Sequence, residues 1–456
     1  MQSAPIDRYG KATMSARRIL YSVASIRQAR PLPFQVFQNF RTLPPSNRNY
    51  LLAAVAAHHN AIHAHNWWGA TSKLTKRWFY RVPKEIVQML WLYARKARDV
   101  YGKSITAQFF DIVRLYLRNG VAADDYYLGG LAGLNRSEQD QMVPYWIFRD
   151  ANMFCLGVDK THESIERICS KHRLAEHVLA SGHRAPKMLA LLKPDDTEGA
   201  KSILAPQTSF FAKPDRGSKG QHAERWVKDG DTFYLARQDL RVPKDKIIDH
   251  MQRRCREIGK PLLLQELIEN NEAIQKWAGK AFATARIDTH RTPDGSVTVG
   301  RGIMRIPADQ HSSVDNISSG GTGFSLNSQS GIMGPGYMDL CFGPANFTSR
   351  SPATDEVLTG QKVPGWEEAC ATVLELHKSV ENAHAIGWDI GFSPDGPVVV
   401  EANIPNGLHI IDQVALGGFF NTHTADCMAQ CIASRLAETQ PTGSRLMVGA
   451  EYGENA

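Results

Sequence analysis

The sequence predicts an α+β protein with a mainly helical, basic N-terminal domain over residues 1–150. A larger mixed domain follows over residues 151–436, and a flexible tail over 437–456. Three observations predict this order. Residues 1–150 hold runs such as YLLAAVAAHHNAIHAH and EIVQMLWLYARKARDVYG, whose apolar residues recur every three or four positions, the period of a helix buried on one face. From about residue 150 the texture changes to short β-rich runs: TSFFAKP, ERWVKDGDTFYLA, PLLLQELI, AFATARIDTHR and SVTVGRGIMRI. A long helical pattern, GWEEACATVLELHKSVENAHAIG, then leads into WDIGFSPDGPVVVEANIP, where Pro-Asp-Gly marks a hairpin turn between two apolar runs.

Length and composition narrow the class. A chain of 456 residues suggests two or three domains. Its 43% hydrophobic and 22% charged content is that of an ordinary globular protein. The seven cysteines are scattered, none in a CxxC pair, and their number is odd; this argues against a disulfide framework and for a reducing compartment. The first twenty residues lack the apolar core of a secretory signal. No stretch approaches the roughly 18 apolar residues of a membrane span. The expectation is a cytoplasmic protein.

Charge is unevenly distributed. The first 100 residues hold sixteen Lys and Arg against three acids, a net +13, so the remaining residues carry −6 of the total +7. Such a basic segment suits an anionic partner: a membrane face, an acidic polymer or, more weakly, nucleic acid. His58, His59, His63 and His65 read as helix surface or packing, since no Cys or acid accompanies them in a metal-ligand pattern. Trp67 and Trp68 read as core or interface.

Three segments carry candidate chemistry. In the C-terminal hairpin Asp389 lies on the first strand, and Glu401 and Asn403 share one face of the second. An odd-length loop sets Asp389 opposite Glu401, whereas a two-residue loop puts them on opposite faces; the sequence leaves this open. Converging, they form an all-oxygen set suited to Mg²⁺ or Mn²⁺. In FFAKPDRGSKGQ, Lys213 ends an apolar strand and a glycine loop follows, an arrangement that can set a positive charge and backbone N–H groups against phosphates, though it does not match GxxxxGK[ST]. LLLQELIENNE is an apolar strand breaking into a polar segment, which suits a slot for adenine.

In order and spacing these segments resemble the ATP-grasp superfamily, over roughly residues 155–432. The finer patterns VDNISSGGTGFSLNSQSG, TGQKVPGWEEA, IGWDIGF and VVVEANIPNG, with FDIVRLYLRNGVAADDYY upstream, resemble its sugar-transfer-associated branch. The resemblance implies two α+β subdomains clamping ATP. It implies that Lys171 and Lys213 contact the phosphates, that Gly217, Ser218 and Gly220 belong to a closing loop, and that Gln265, Glu266, Leu267 and Ile268 form the adenine hinge. It further implies that Glu272 binds the ribose, and that Asp389, Glu401 and Asn403 converge as ligands of Mg²⁺ or Mn²⁺. Many relatives carry an arginine two residues before the first metal aspartate; here Gly387 stands there, so Arg286 and Arg305 are the candidates for stabilising the transferring phosphoryl group. The glycine- and serine-rich segment Asn316, Ser318, Ser319, Gly320 and Gly321 is the candidate substrate contact.

The implied reaction is activation of a carboxylate as an acyl phosphate and its coupling to an amine, the carboxylate being a small molecule or sugar-linked. The alternatives are an ATP-grasp kinase or phosphotransferase, and a non-catalytic nucleotide-binding accessory protein of polysaccharide assembly. The basic N-terminal region adds the expectation of a peripheral place at the cytoplasmic membrane face.

Overall fold

The computed structural model describes residues 46, 48–55, 77–156, 163–217, 221–235, 238–310, 312, 315–338, 343–381, 383–404, 407–420 and 422–438. The histidines at 58, 59, 63 and 65, the Trp67–Trp68 pair, Ser218, Gly220 and the tail beyond 438 lie outside these residues.

The described N-terminal residues are largely helical, and the run EIVQMLWLYARKARDVYG is a helix as its periodicity predicts. Helix α1 (Val82–Tyr101) begins with a proline in its first turn, where the missing N–H costs nothing, and ends at Gly102 in the left-handed conformation. Helix α2 (Ile105–Asn119) starts at Ser104, whose side chain accepts the Ala107 N–H, and stops at left-handed Gly120. The buried faces of α1 and α2 make one core with Tyr126, Tyr127 and Leu131, and Ile410 from the far end of the chain joins it. Helix α3 (Tyr145–Leu156) runs through the expected boundary at residue 150. It packs with residues 51–55 against the C-terminal helix, so the helical part shares a core with the chain's other end.

Helices α4 (Glu163–Cys169) and α5 (Lys171–Ala180) lead into a six-stranded antiparallel sheet. Its strands are β1 (Met188–Leu192), β2 (Phe210–Pro214), β3 (Glu224–Asp229), β4 (Thr232–Leu235), β5 (Leu240–Pro243) and β6 (Leu262–Glu266), in the order β1-β6-β2-β3-β4-β5. Helix α6 (Ile247–Ile258) covers one face, burying Ile247, Met251 and Cys255 against Phe210, Trp226 and Phe233.

Helix α7 (Glu272–Ala278) opens the second unit. Strands β7 (Thr284–Arg291), β8 (Val297–Ile306), β9 (Thr322–Leu326), β10 (Met333–Met338), β11 (Ala385–Ser393) and β12 (Gly396–Asn403) form a second antiparallel sheet, ordered β10-β9-β8-β7-β11-β12. Helix α8 (Trp366–Lys378) packs on one face with Trp388, Ile390 and Val399. Helices α9 (Ile410–Leu416) and α10 (His423–Glu438) follow. No described helix is long and apolar enough to cross a membrane. Strand β9 lies within the pattern VDNISSGGTGFSLNSQSG, and β10 follows it. The run after Lys378, read as helix, turns into β11 at Ala385.

Candidate active site

The two sheets face each other across a cavity of about 190 Å³. The first contributes Lys213 and the β6 end, residues 265–268; the second contributes Thr284, Arg286, Arg305, Asp389, Val400, Glu401 and Asn403. Lys171, at the start of α5, reaches in from the side.

The hairpin β11–β12 settles the ambiguity left by its sequence in a way parity alone does not foresee. The turn is the two-residue kind, with Ser393 opposite Gly396. The register then slips: Ile390 faces Val399, but Asp389 faces Glu401. Val400 is the extra residue of a β-bulge, so Val400 and Glu401 both line the cavity while Val399 and Ala402 stay in the core. Asn403, two residues on, returns to the cavity face. A two-residue turn and convergent acids are thus compatible, at the cost of one bulge.

Asp389 is the centre of a buried charge cluster. Arg286 lies opposite it on β7 and donates from Nε at 2.5 Å and from Nη2 at 3.1 Å to its two oxygens. Arg305, brought alongside by its pairing with Thr284 on β7, reaches Asp389 Oδ2 at 3.1 Å. Burial alone raises a carboxyl pKa, but the two guanidinium groups outweigh it and hold Asp389 below the ordinary carboxylate range. Asp315 shows the opposite balance: burial holds its pKa up against the pull of Arg305, while its Oδ2 accepts from the Thr284 N–H at 2.9 Å and hydroxyl at 2.5 Å.

Two lysines complete the cluster. Lys171 donates to the carbonyl of Gly217 at 3.2 Å and stands 3.5 Å from Glu401. Lys213 is 7% exposed, and burial pulls its pKa down to about 8 against the attraction of Glu401. Holding that ammonium charged at neutral pH costs the fold roughly 3 kcal/mol. An anion entering the cavity would relieve the cost.

At the other wall, β6 pairs with β2 as far as Glu266. The Glu266 carboxylate accepts the Lys187 N–H at 2.8 Å, and its own N–H donates to the Lys187 carbonyl at 2.9 Å. Leu267 and Ile268 follow the end of the strand, and all four residues 265–268 line the cavity, as the hinge assignment requires.

Not every expected residue is brought in. Glu272 is at the first turn of α7, its carboxylate 88% exposed and paired with Lys276 one turn on; it does not line the cavity. The reason is local: Asn271 caps that helix through its side chain and points the following residue outward. Of the Gly/Ser segment, Asn316 lines the cavity, whereas Ser319, Gly320 and Gly321 form the turn behind it. Ser318 lies in that same turn. Gly321 is packed so tightly that a Cβ would stand 2.7 Å from the Asp315 carbonyl and 2.9 Å from that of Ile306. Gly217 lines the cavity at the start of the expected closing loop. Thr284 and Val400 are cavity residues that motif reading missed. Asp315 opens the glycine- and serine-rich segment expected to contact substrate, but nothing in its spacing pairs it with Arg305.

The sequence model of the family described as sugar-transfer associated ATP-grasp matches residues 160–425, more than half of the chain. No curated protein matches the chain in sequence. Among solved structures, the D-Ala:D-Ser ligase VanG from Enterococcus faecalis is similar at 15% identity and a TM-score of 0.30, over 60% of this chain and 62% of that one. An L-amino acid ligase from Bacillus licheniformis is similar at 11% identity and 0.32, over 57% of this chain and 49% of that one. A D-alanine–D-alanine ligase from Bacillus anthracis is similar at 11% and 0.34, over 60% and 70%. The chain thus spans less than two thirds of the length of the first two. The matched segment holds both sheets and every cavity residue named above, and the chain belongs to the sugar-transfer-associated ATP-grasp family.

Proposed function

We propose that this protein is an ATP- and divalent-metal-dependent ligase that activates a carboxylate as an acyl phosphate and couples it to an amine. The observation that carries the proposal is the convergence of Asp389, Glu401 and Asn403 with Lys171, Lys213, Arg286 and Arg305 around one cavity.

The oxygen donors fit a hard cation. Asp389 and Glu401 face each other, and the Asn403 amide nitrogen is buried without a hydrogen-bond partner, an open valence that an amide flip turns into a cation acceptor. Bound Mg²⁺ or Mn²⁺ would neutralise phosphate charge. The chain's own groups do the rest. Residues 265–268 offer backbone groups to adenine. Lys213 and Lys171 hold the phosphates by charge. Asp389 would help hold the metal, and Arg286 and Arg305 would stabilise the transferring phosphoryl group.

The need for so many cations follows from the reaction. Two unit charges about 4 Å apart repel by about 4 kcal/mol at an effective dielectric near 20, and a carboxylate must approach a triphosphate carrying several. Acyl phosphates hydrolyse readily, so the loop that starts at Gly217 is the expected lid.

The carboxylate's identity is argued from the branch description alone: a uronic or other sugar-linked acid. We assign the N-terminal region, residues 1–150, to docking on an anionic membrane face or acidic polymer. On α1, Lys84, Val87, Trp91, Arg95 and Arg98 recur every three or four residues on one exposed stripe, with Trp91 82% exposed; Phe79, just before the helix, is 77% exposed. Basic residues interleaved with aromatic ones suit headgroups. The test is ADP release by purified protein with Mg·ATP, a panel of uronic and related acids, and a panel of amines. Formation of ADP, phosphate and an amide supports the ligase; phosphate retained on an acceptor makes the protein a kinase; no acid-dependent ADP release refutes the reading.

A further inference from the structure

We propose that Cys155, His384 and Cys431 form a second metal site, a binding site for a thiophilic divalent cation of the zinc class, remote from the oxygen-lined cavity. Cys155 sits in the last turn of α3, Cys431 in the middle of α10, and His384 immediately before β11. Their donor atoms all lie within 4.8 Å of one another. In a tetrahedral zinc site with bonds near 2.3 Å to sulfur and 2.0 Å to nitrogen, such donors stand about 3.5–3.8 Å apart. A shift of about an ångström, within reach of side-chain rotation, closes that gap.

The imidazole is prepared for a ligand. His384 is 5% exposed, and its Nδ1 donates to the Arg291 carbonyl at 2.7 Å. That bond fixes the tautomer and leaves the Nε2 lone pair free, as in metal sites where a backbone carbonyl orients the ligating ring. Nε2 is buried and has no hydrogen-bond partner. Beside it stands His290, paired across β7–β11 with Ala385, its ring centroid 5.8 Å from that of His384. Both ring nitrogens of His290 are buried and without a partner, but they lie outside the 4.8 Å cluster, so the fourth position falls to water unless the His290 ring reorients.

Two buried imidazoles with three unpartnered nitrogens carry a desolvation cost that packing does not explain. A disulfide between the cysteines would leave that cost in place; a cation would lower it by taking the His384 Nε2 lone pair and, with His290 as a ligand, one more. Two sulfurs with nitrogen select a soft or borderline ion, whereas Asp389, Glu401 and Asn403 select a hard one, so the sites do not compete. The site would join α3 and α10 to the ends of β7 and β11, the strands that carry Arg286 and Asp389.

The test is metal analysis of the purified full chain after dialysis against metal-free buffer. About one zinc per chain is expected, as is a thiolate-to-cobalt charge-transfer band with tetrahedral d–d absorption after Co²⁺ exchange. The Cys155→Ser/Cys431→Ser double variant should lose both signals, and Cys255→Ser, at a cysteine bonded to backbone carbonyls elsewhere, should keep them. A wild-type chain that holds no zinc even after incubation with it and gives no cobalt spectrum overturns the proposal. So does a Cys155–Cys431 disulfide in peptide maps of the freshly purified protein. If the double variant does not fold, the wild-type zinc and cobalt readings decide alone.

Discussion

Raising the pH from 7 to 9 should weaken nucleotide binding about tenfold, and Lys213 is the reason. With its pKa pulled to about 8 by burial, the ammonium is about nine-tenths formed at pH 7 and about one-tenth formed at pH 9. The phosphates bind the charged form, so the free protein must take up a proton to bind at high pH. The ratio of the two fractions, about ten, corresponds to about 1.4 kcal/mol. In the nucleotide-free protein the sign is reversed. The unfolded chain holds this proton up to the ordinary lysine value of 10.5, so between about pH 8 and 10.5 stability gains from Lys213 as pH rises. Calorimetric titration with a Mg²⁺-bound non-hydrolysable ATP analogue at pH 7, 8 and 9 measures the binding term. Lys213→Met should bind at least tenfold more weakly at pH 7 and lose the pH dependence. A wild-type affinity that stays flat to pH 9, or a Lys213→Met variant that keeps the decline, would refute the reasoning.

Other substitutions separate roles within the cavity. Asp389→Asn and Glu401→Gln should both abolish ADP release, but they should differ in thermal unfolding. Asp389→Asn leaves Arg286 and Arg305 without their anion and should lower the melting temperature by several degrees, whereas Glu401→Gln loses a 3.5 Å contact with Lys171 and the attraction on Lys213 and should lower it by less. Gly321→Ala, whose Cβ meets three backbone carbonyls, should displace Asn316 and cut turnover at least tenfold while leaving nucleotide affinity within about twofold, as read by kinetics and calorimetry side by side. The full chain should co-sediment with anionic vesicles at low salt and be released as salt rises; Trp91→Ala should weaken the association, and a protein that stays in the supernatant at low salt removes the membrane assignment.

What the sequence made legible was whatever a local pattern encodes. The apolar period of α1, the strands around Lys213, Gln265 and Arg286, and the Pro-Asp-Gly turn all follow from spacing within one element. Arg286 and Arg305, the candidates named for the arginine absent at Gly387, are both set against Asp389. The bulge at Val400 was not readable. Turn length fixes register only for a regular ladder, and the run VVVEAN gives no local signal of where the extra residue falls. Glu272 failed for a related reason: whether a residue one step into a helix faces a cleft or solvent is set by the cap, here Asn271. The Cys155, His384 and Cys431 cluster was invisible because its members come from three distant elements and meet only when α3 packs on α10.

If a carboxylate attacks the γ-phosphate of ATP in the cavity between the two sheets, as proposed, the oxygen it loses is traceable by isotope. A carboxylate that stimulates ADP release is prepared with ¹⁸O in its carboxyl group and turned over with Mg·ATP and the amine. If an acyl phosphate forms and the amine displaces phosphate from it, one labelled oxygen passes from the carboxylate to inorganic phosphate, and mass spectrometry of the phosphate finds it. ADP formed in step with wholly unlabelled phosphate, or label retained on a phosphorylated acceptor, would contradict the account.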